Sequence, residues 1–184
     1  MRELINLPNL LTGSRVILGG VFLFFVLQDV WPTAFWIFLV AAATDLIDGA
    51  VARLFDQKTQ AGAILDGAAD KILMSLGFVS LTAKGWLPLW LTVFVLLKDL
   101  MVTGGIVYFR IKKVALTYHA SILSKSATFF QILTLSFALL NASFGVGDFV
   151  YGYDRLLAGL LTAMATIQYF YMGLGILRES QCAR

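Results

Sequence analysis

Four aspartates, Asp45, Asp48, Asp66 and Asp70, stand within DLIDGAVARLFDQKTQAGAILDGAAD, a stretch whose small and apolar residues otherwise suit a membrane interior. Carboxylates are costly in such surroundings. In a helix covering Leu46 to Leu54, Asp45 and Asp48 are three apart and share a face; in one covering Gly62 to Met74, Asp66 and Asp70 are four apart and do the same. The linker Asp56-Gln57-Lys58-Thr59-Gln60 is polar and short, which predicts antiparallel neighbouring helices and a single pocket holding four acids. Like charges at that range cannot all ionise without cations, because each uncompensated buried charge costs several kcal/mol and pushes its pKa upward. All-oxygen donors with no histidine or cysteine nearby favour Mg2+, Mn2+ or Ca2+ over zinc. Two such ions about 3.5–4 Å apart would suit phosphoryl chemistry.

The elements that must position these acids follow from composition. The chain has 184 residues, 59% hydrophobic and 14% charged, against roughly 45–50% and about 25% for a soluble domain. Ser126–Gly147 and Leu156–Leu177 each run 22 residues without a charge, enough to span a bilayer, which takes about 20. Continuous runs of this kind imply helices and not a barrel. The expected fold is all-α, an integral membrane bundle of six transmembrane helices in a single domain, residues 1–184. The spans are expected near 10–27, 33–54, 61–83, 89–109, 125–141 (extending toward Gly147) and 156–177, the first uncleaved. Asn6 or Asn9 is available to start the first helix, and Asn141–Asp148 reads as a turn. The single cysteine, Cys182, excludes an internal disulfide and reads as an incidental thiol.

Charge placement adds candidates outside the aspartate stretch. Lys98 and Asp99 fall near the middle of the fourth span, where exposure to lipid would cost at least ~2.5 kcal/mol each, so they should face protein or water. Arg110, Lys112, Lys113 and Lys125 flank or occupy one polar loop, where they could capture an anionic co-substrate; His119, the one histidine, is expected to be merely solvated there. Asn9, Thr12 and Arg15 lie on one face of the first span and could line the entrance to the acid pocket. Trp31, Trp86 and Trp90 suit a membrane interface. Counting spans places the N-terminus, the 56–60 and 110–125 loops and the C-terminus on one side, leaving Lys84 and Arg155 as the basic residues of the other. The positive-inside rule makes the first side cytoplasmic, so acids and basic loop both face the cytosol of a multi-pass cell-membrane protein. In that setting the net charge of +3 does not imply a nucleic-acid partner.

The spacing Asp45-x2-Asp48-Gly49-x2-Ala52-Arg53-x8-Gly62-x3-Asp66-x3-Asp70 resembles the signature of the CDP-alcohol phosphatidyltransferases, integral membrane enzymes of phospholipid synthesis. Pro8-Asn9-Leu10-Leu11-Thr12-x2-Arg15 is similar to the family's opening. The resemblance implies CDP-diacylglycerol as substrate and two Mg2+ or Mn2+ ions as cofactors. Asp45, Asp48 and Asp66 would hold the metals. Asp70, also touching a metal, would be the general base that takes the proton from an alcohol. Gly49, Ala52, Arg53 and Gly62 match family positions that border the nucleotide. A homodimer among membrane lipids is expected on the same ground.

The resemblance further implies a small alcohol as acceptor, with glycerol 3-phosphate as first choice and Arg110 and Lys125 as the best matches to the family's basic residues that bind its phosphate. Ser124-Lys125-x2-Thr128-x2-Gln131 resembles a Gly-Lys-x2-Thr-x2-Gln stretch of phosphatidylglycerophosphate synthases, with Ser124 replacing the glycine; Gly67 stands where that subfamily has proline. Lys98-Asp99 is closer to the Arg-Asp pair of transferase-type cardiolipin synthases, which use phosphatidylglycerol, and that acceptor is the alternative. A divalent-cation transporter is the non-enzyme alternative. It would be expected to spread its acids along several spans near mid-bilayer, whereas these are gathered toward one side.

Overall fold

The computed structural model describes the backbone of residues 7–54, 60–111, 122–146 and 148–182, and side chains within 17–44, 71–109, 122–146, 152–173 and at 175. Among them are six helices and no strand: α1 (Leu7–Leu27), α2 (Trp31–Leu54), α3 (Gln60–Ala83), α4 (Leu89–Ile111), α5 (Ile122–Phe144) and α6 (Asp148–Cys182). The all-α class and the number of helices match the sequence reading. Helix α1 starts before Asn9, with Pro8 in its first turn, where the missing N–H has no intrahelical partner to lose.

Leu89–Phe109, Ile122–Phe144 and Gly152–Gly173 are long and apolar enough to cross a membrane; the described apolar segments of the other helices, Ile17–Leu27, Trp31–Thr44 and Lys71–Ala83, are shorter. Large apolar side chains face outward, Leu89 at 69%, Leu100 at 70% and Leu160 at 63% exposure, while Lys98, Gln131 and Thr162 are buried. Water would penalise both halves of that pattern. Lipid favours the first and leaves the second to be satisfied within the protein. This is a membrane protein.

Three helix ends show how the chain turns. After α1, Val30 N–H bonds to Phe25 O at 3.0 Å and Asp29 N–H to Val26 O at 3.2 Å, the paired bonds of a Schellman stop. Asp29 takes the left-handed conformation there, φ 58°, where glycine would be unstrained. Its carboxylate is compensated: Lys84 Nζ lies 2.8 Å from both oxygens and donates to Leu27 O at 3.2 Å, a cation on the carbonyl end of the helix. The same motif ends α3, with Gly85 at φ 82° and Trp86 N–H on Leu81 O at 2.9 Å. Trp31 and Trp86 then meet edge-to-face at 5.8 Å.

The third end corrects the expected turn over Asn141–Asp148. Helix α5 continues through Phe144, and Ser143 Oγ donates back to Leu139 O at 2.6 Å. The stop is Gly145, at φ 66°, whose N–H bonds to Asn141 O at 2.8 Å. Asp148 already opens α6, which therefore begins well before Leu156.

The helices form two compact units. The first contains α1, α2, α3 and α5 from Leu135 onward. Its core is apolar, with Phe22, Phe38, Phe78, Leu81, Leu135 and Leu139 fully or almost fully buried. Phe22 and Phe38 pack at 6.0 Å. The second contains α4, α5 through Thr134 and α6 from Phe149. Its core mixes Leu91, Val95, Ala127, Ala158 and Ala165 with buried polar residues.

Within the second unit α4 and α6 approach closely at Gly159, where a Cβ would overlap the Trp90 ring. Gly159→Ala is expected to lower stability by about 1–3 kcal/mol, the usual cost of overpacking. In a Trp90→Ala background the same change should be close to neutral. Thermal unfolding of the four variants in detergent checks this, and an equal cost in both backgrounds would show that Trp90 is not the obstacle.

Candidate functional site

The backbone runs as unbroken helix through both aspartate pairs, Asp45 and Asp48 in α2 and Asp66 and Asp70 in α3. Gly49, Ala52 and Arg53 also lie in α2, and Gly62 in the first turn of α3. The side chains of residues 45–70, and that of Arg110, lie outside the described residues. Helix α1 packs on both acid-bearing helices; at Gly19 a Cβ would touch Leu73 and Leu76 at 3.6 Å. One scaffold helix therefore backs the two that carry the acids.

Helical continuity satisfies the first demand of a metal centre, since i,i+3 and i,i+4 positions keep each pair on one helical face. The donor set, carboxylates alone, fits a hard divalent cation. Among the described residues no cluster of acids, histidines or cysteines could hold a metal.

The second unit holds a chain of buried polar contacts. Lys98 Nζ donates to Gln131 Oε1 at 3.0 Å, and Gln131 Nε2 donates to Thr162 Oγ1 at 2.8 Å, so that α4, α5 and α6 are joined through one amide. Asp99 Oδ1 lies 3.4 Å from the Lys98 amine. A bare ammonium at this depth would be costly; a carboxylate and an amide oxygen offset that cost. The expectation that Lys98 and Asp99 face protein holds, and the partner of Lys98 is Gln131.

A second buried pair joins α5 and α6. Thr134 Oγ1 donates to Asp154 Oδ2 at 2.5 Å, while Asp154 Oδ1 has no hydrogen-bond partner among the described residues. Sequence reasoning missed this pair, because it began the sixth span at Leu156, just after Asp154. The available signal was the threonine inside the charge-free run Ser126–Gly147. In hydrocarbon, a polar side chain in such a run must find a partner on a neighbouring helix or on its own backbone.

Of the two basic residues expected at an acceptor, Lys125 is exposed in the first turn of α5 and Arg110 is the penultimate residue of α4. Both belong to the second unit, and the four aspartates to the first. Asn9, Thr12 and Arg15 lie on α1 with side chains outside the described residues, as does His119 altogether. An apolar groove of about 340 Å³ between α1 and α2, lined by Leu18, Pro32, Thr33, Trp36, Ile37 and Val40, offers no group to ligate a metal or move a proton.

Comparison with known proteins gives a consistent picture. The profile of the CDP-alcohol phosphatidyltransferase family matches residues 5–171. A CDP-diacylglycerol–glycerol-3-phosphate 3-phosphatidyltransferase of Aquifex aeolicus is 38% identical over 140 residues, covering 74% of this chain and 77% of that protein. One of Pseudomonas fluorescens is 43% identical over 90 residues, 47% of this chain and 46% of its own length. A CMP-forming cardiolipin synthase of Rattus norvegicus is 36% identical over 106 residues, 57% of this chain. The chain spans about a third of the length of the rat and human cardiolipin synthases it matches, 35% in each case.

The Thr134–Asp154 pair yields a stability test. Thr134→Val removes the hydrogen bond to the buried carboxylate and should cost about 1–3 kcal/mol, the penalty for a stranded buried polar group. Thr134→Ser keeps the hydroxyl and should recover most of it. Unfolding temperatures in detergent decide; equal losses for valine and serine would point to methyl packing instead.

Proposed function

Because the chain belongs to the CDP-alcohol phosphatidyltransferase family, we propose that it transfers a phosphatidyl group from CDP-diacylglycerol to glycerol 3-phosphate, releasing CMP. The observation that carries this reading is the family match over residues 5–171, which contains the whole aspartate pattern on two continuous helices. The Aquifex aeolicus relative, similar over most of both chains, supports the choice of acceptor by its name.

In this reading Asp45, Asp48 and Asp66 would hold two divalent ions, Mg2+ or Mn2+, with Asp70 also a ligand, and such ions would supply charge neutralisation for the diphosphate and the leaving CMP and Lewis acidity toward the phosphorus that bears diacylglycerol. To act as general base Asp70 would need one oxygen within about 2.6–3.2 Å of the incoming hydroxyl, and it takes that proton as the alcohol oxygen attacks the phosphorus. The new P–O bond forms, the bond to CMP breaks, and CMP leaves with the electron pair. No covalent enzyme intermediate is required. Gly49, Ala52 and Gly62 leave room for the nucleotide beside the helix backbones, and Arg53 pairs with a phosphate. Arg110 and Lys125 hold the phosphate of the acceptor.

On the same reading the chemistry takes place in a cell membrane, with the acids on the cytoplasmic side. The excess of lysine and arginine in the segments assigned to that side, against Lys84 and Arg155 on the other, supports that orientation. The working form is a homodimer. Similarity to the rat cardiolipin synthase, together with Lys98-Asp99, favours phosphatidylglycerol as the second acceptor to examine.

Purified protein given CDP-diacylglycerol and Mg2+ should release CMP when glycerol 3-phosphate is added, and chelation by EDTA should abolish the release. Release with phosphatidylglycerol alone would move the assignment to the second acceptor. Asp70→Asn should lower kcat about 10²–10⁴-fold, the range for a lost general base, while Mg2+ binding measured by calorimetry persists. Arg110→Gln and Lys125→Gln should each raise the acceptor KM roughly tenfold, a charge-assisted hydrogen bond being worth at least that factor. An unchanged KM in both would remove them from the acceptor site.

A further inference from the structure

We infer that Gln131 is a positioning residue for the acceptor: its amide, clamped between Lys98 and Thr162, sets the register of the helices that carry Arg110 and Lys125. This rests on the reading in which those two residues bind the acceptor phosphate.

The amide has one usable orientation. An ammonium only donates, so Oε1 must face Lys98, and the NH2 group is then committed to Thr162; a flip would set donor against donor. All three residues are buried, Lys98 at 4%, Gln131 at 1% and Thr162 at 0% exposure. Each comes from a different helix of the same unit. Moving α4 or α6 along α5 by even a fraction of a turn would break one of the bonds.

Other contacts also hold this unit, Trp90 of α4 against Gly159 of α6 and Thr134 of α5 on Asp154 of α6, but the amide is the contact that ties all three helices at one level. Between helices in lipid the hydrophobic driving force is absent, and packing or polar contacts must supply specificity. Along α4 beyond Lys98, Gly104 and Gly105 have no described atom within 4 Å of where a Cβ would stand, while Phe109, next to Arg110, is buried, so apolar packing adjoins the basic residue and the amide supplies the directional contact. Arg110 follows Lys98 by twelve residues, about 18 Å of helix, and Lys125 precedes Gln131 by six, about 9 Å. Only residues 112–121 connect α4 to α5, so both basic residues lie at the same end of the helix pair, beyond the amide clamp. Displacement of a positioned group by about 1 Å is enough to spoil recognition.

The test uses full-length protein in detergent, with CMP release measured against glycerol 3-phosphate at saturating CDP-diacylglycerol and Mg2+. Gln131→Leu is expected to raise the acceptor KM about tenfold, with kcat and the KM for CDP-diacylglycerol within about twofold of the parent. Thr162→Val should shift acceptor KM in the same direction, and Thr162→Ser should restore it. A purely structural role would instead lower the unfolding temperature and kcat while leaving acceptor KM in place, which overturns the inference. Should Gln131→Leu fail to fold, the Thr162 pair decides alone. If Arg110→Gln and Lys125→Gln raise acceptor KM but the Gln131 and Thr162 variants do not, the positioning role fails and the acceptor assignment stands. If the basic variants leave it unmoved, or no acceptor supports release, the assignment itself falls and this role with it.

Discussion

A polar group inside a bilayer has no water to return to, so each one must be matched by another part of the protein. That constraint organises the second unit. Lys98, Gln131 and Thr162 satisfy one another across three helices, and Thr134 meets Asp154 across two of them. Their large apolar neighbours are turned outward. The first unit is built on the opposite principle among its described residues, with aromatic and aliphatic side chains filling the space between α1, α2, α3 and the end of α5. Its polar investment lies in the aspartates, which a hard cation would compensate.

The division of labour follows from this. The apolar segment Ile17–Leu27 of α1 has no side chain that would compete for the aspartate carboxylates, and α1 packs on both α2 and α3. Recognition of a soluble phosphate calls for fixed cations at a helix end, and fixed cations need helices whose register is specified. Hydrogen bonds between side chains specify register; smooth apolar faces in lipid do so poorly. The connection after α1 shows the same economy on a small scale. Asp29 accepts a backbone conformation better suited to glycine, and its side chain gains a lysine that also caps the preceding helix.

Much of this was legible in the sequence, for identifiable reasons. Charge-free runs and their flanks gave the helices, since a bilayer permits few alternatives. The aspartate spacing carried the resemblance to the family whose profile matches residues 5–171, while the side chains of those aspartates lie outside the described residues. The burial of Lys98 was foreseeable from its depth alone. What could not be read was its partner, since Gln131 lies 33 residues away and nothing local pairs the two. Helix ends were misjudged where small polar residues suggested a turn: Ser143 stays helical with its hydroxyl on the Leu139 carbonyl, Asn141 gives its own carbonyl to Gly145 N–H, and Gly145 is the residue that stops the helix. Asp154 fell outside the expected sixth span because that span was drawn from the charge-free run beginning at Leu156, whereas α6 starts at Asp148.

The adjacency of Lys98 and Asp99 has a consequence for biogenesis. The ribosome delivers α4 to the membrane before Gln131 or Thr162 has been synthesised, so the lysine must enter without the contacts that hold it in the finished protein. A carboxylate on the next residue travels with it, and the amine is 3.4 Å from that oxygen even in the completed fold. The helix can thus insert as a nearly neutral rod, and the amide from α5 takes over part of the task once it arrives.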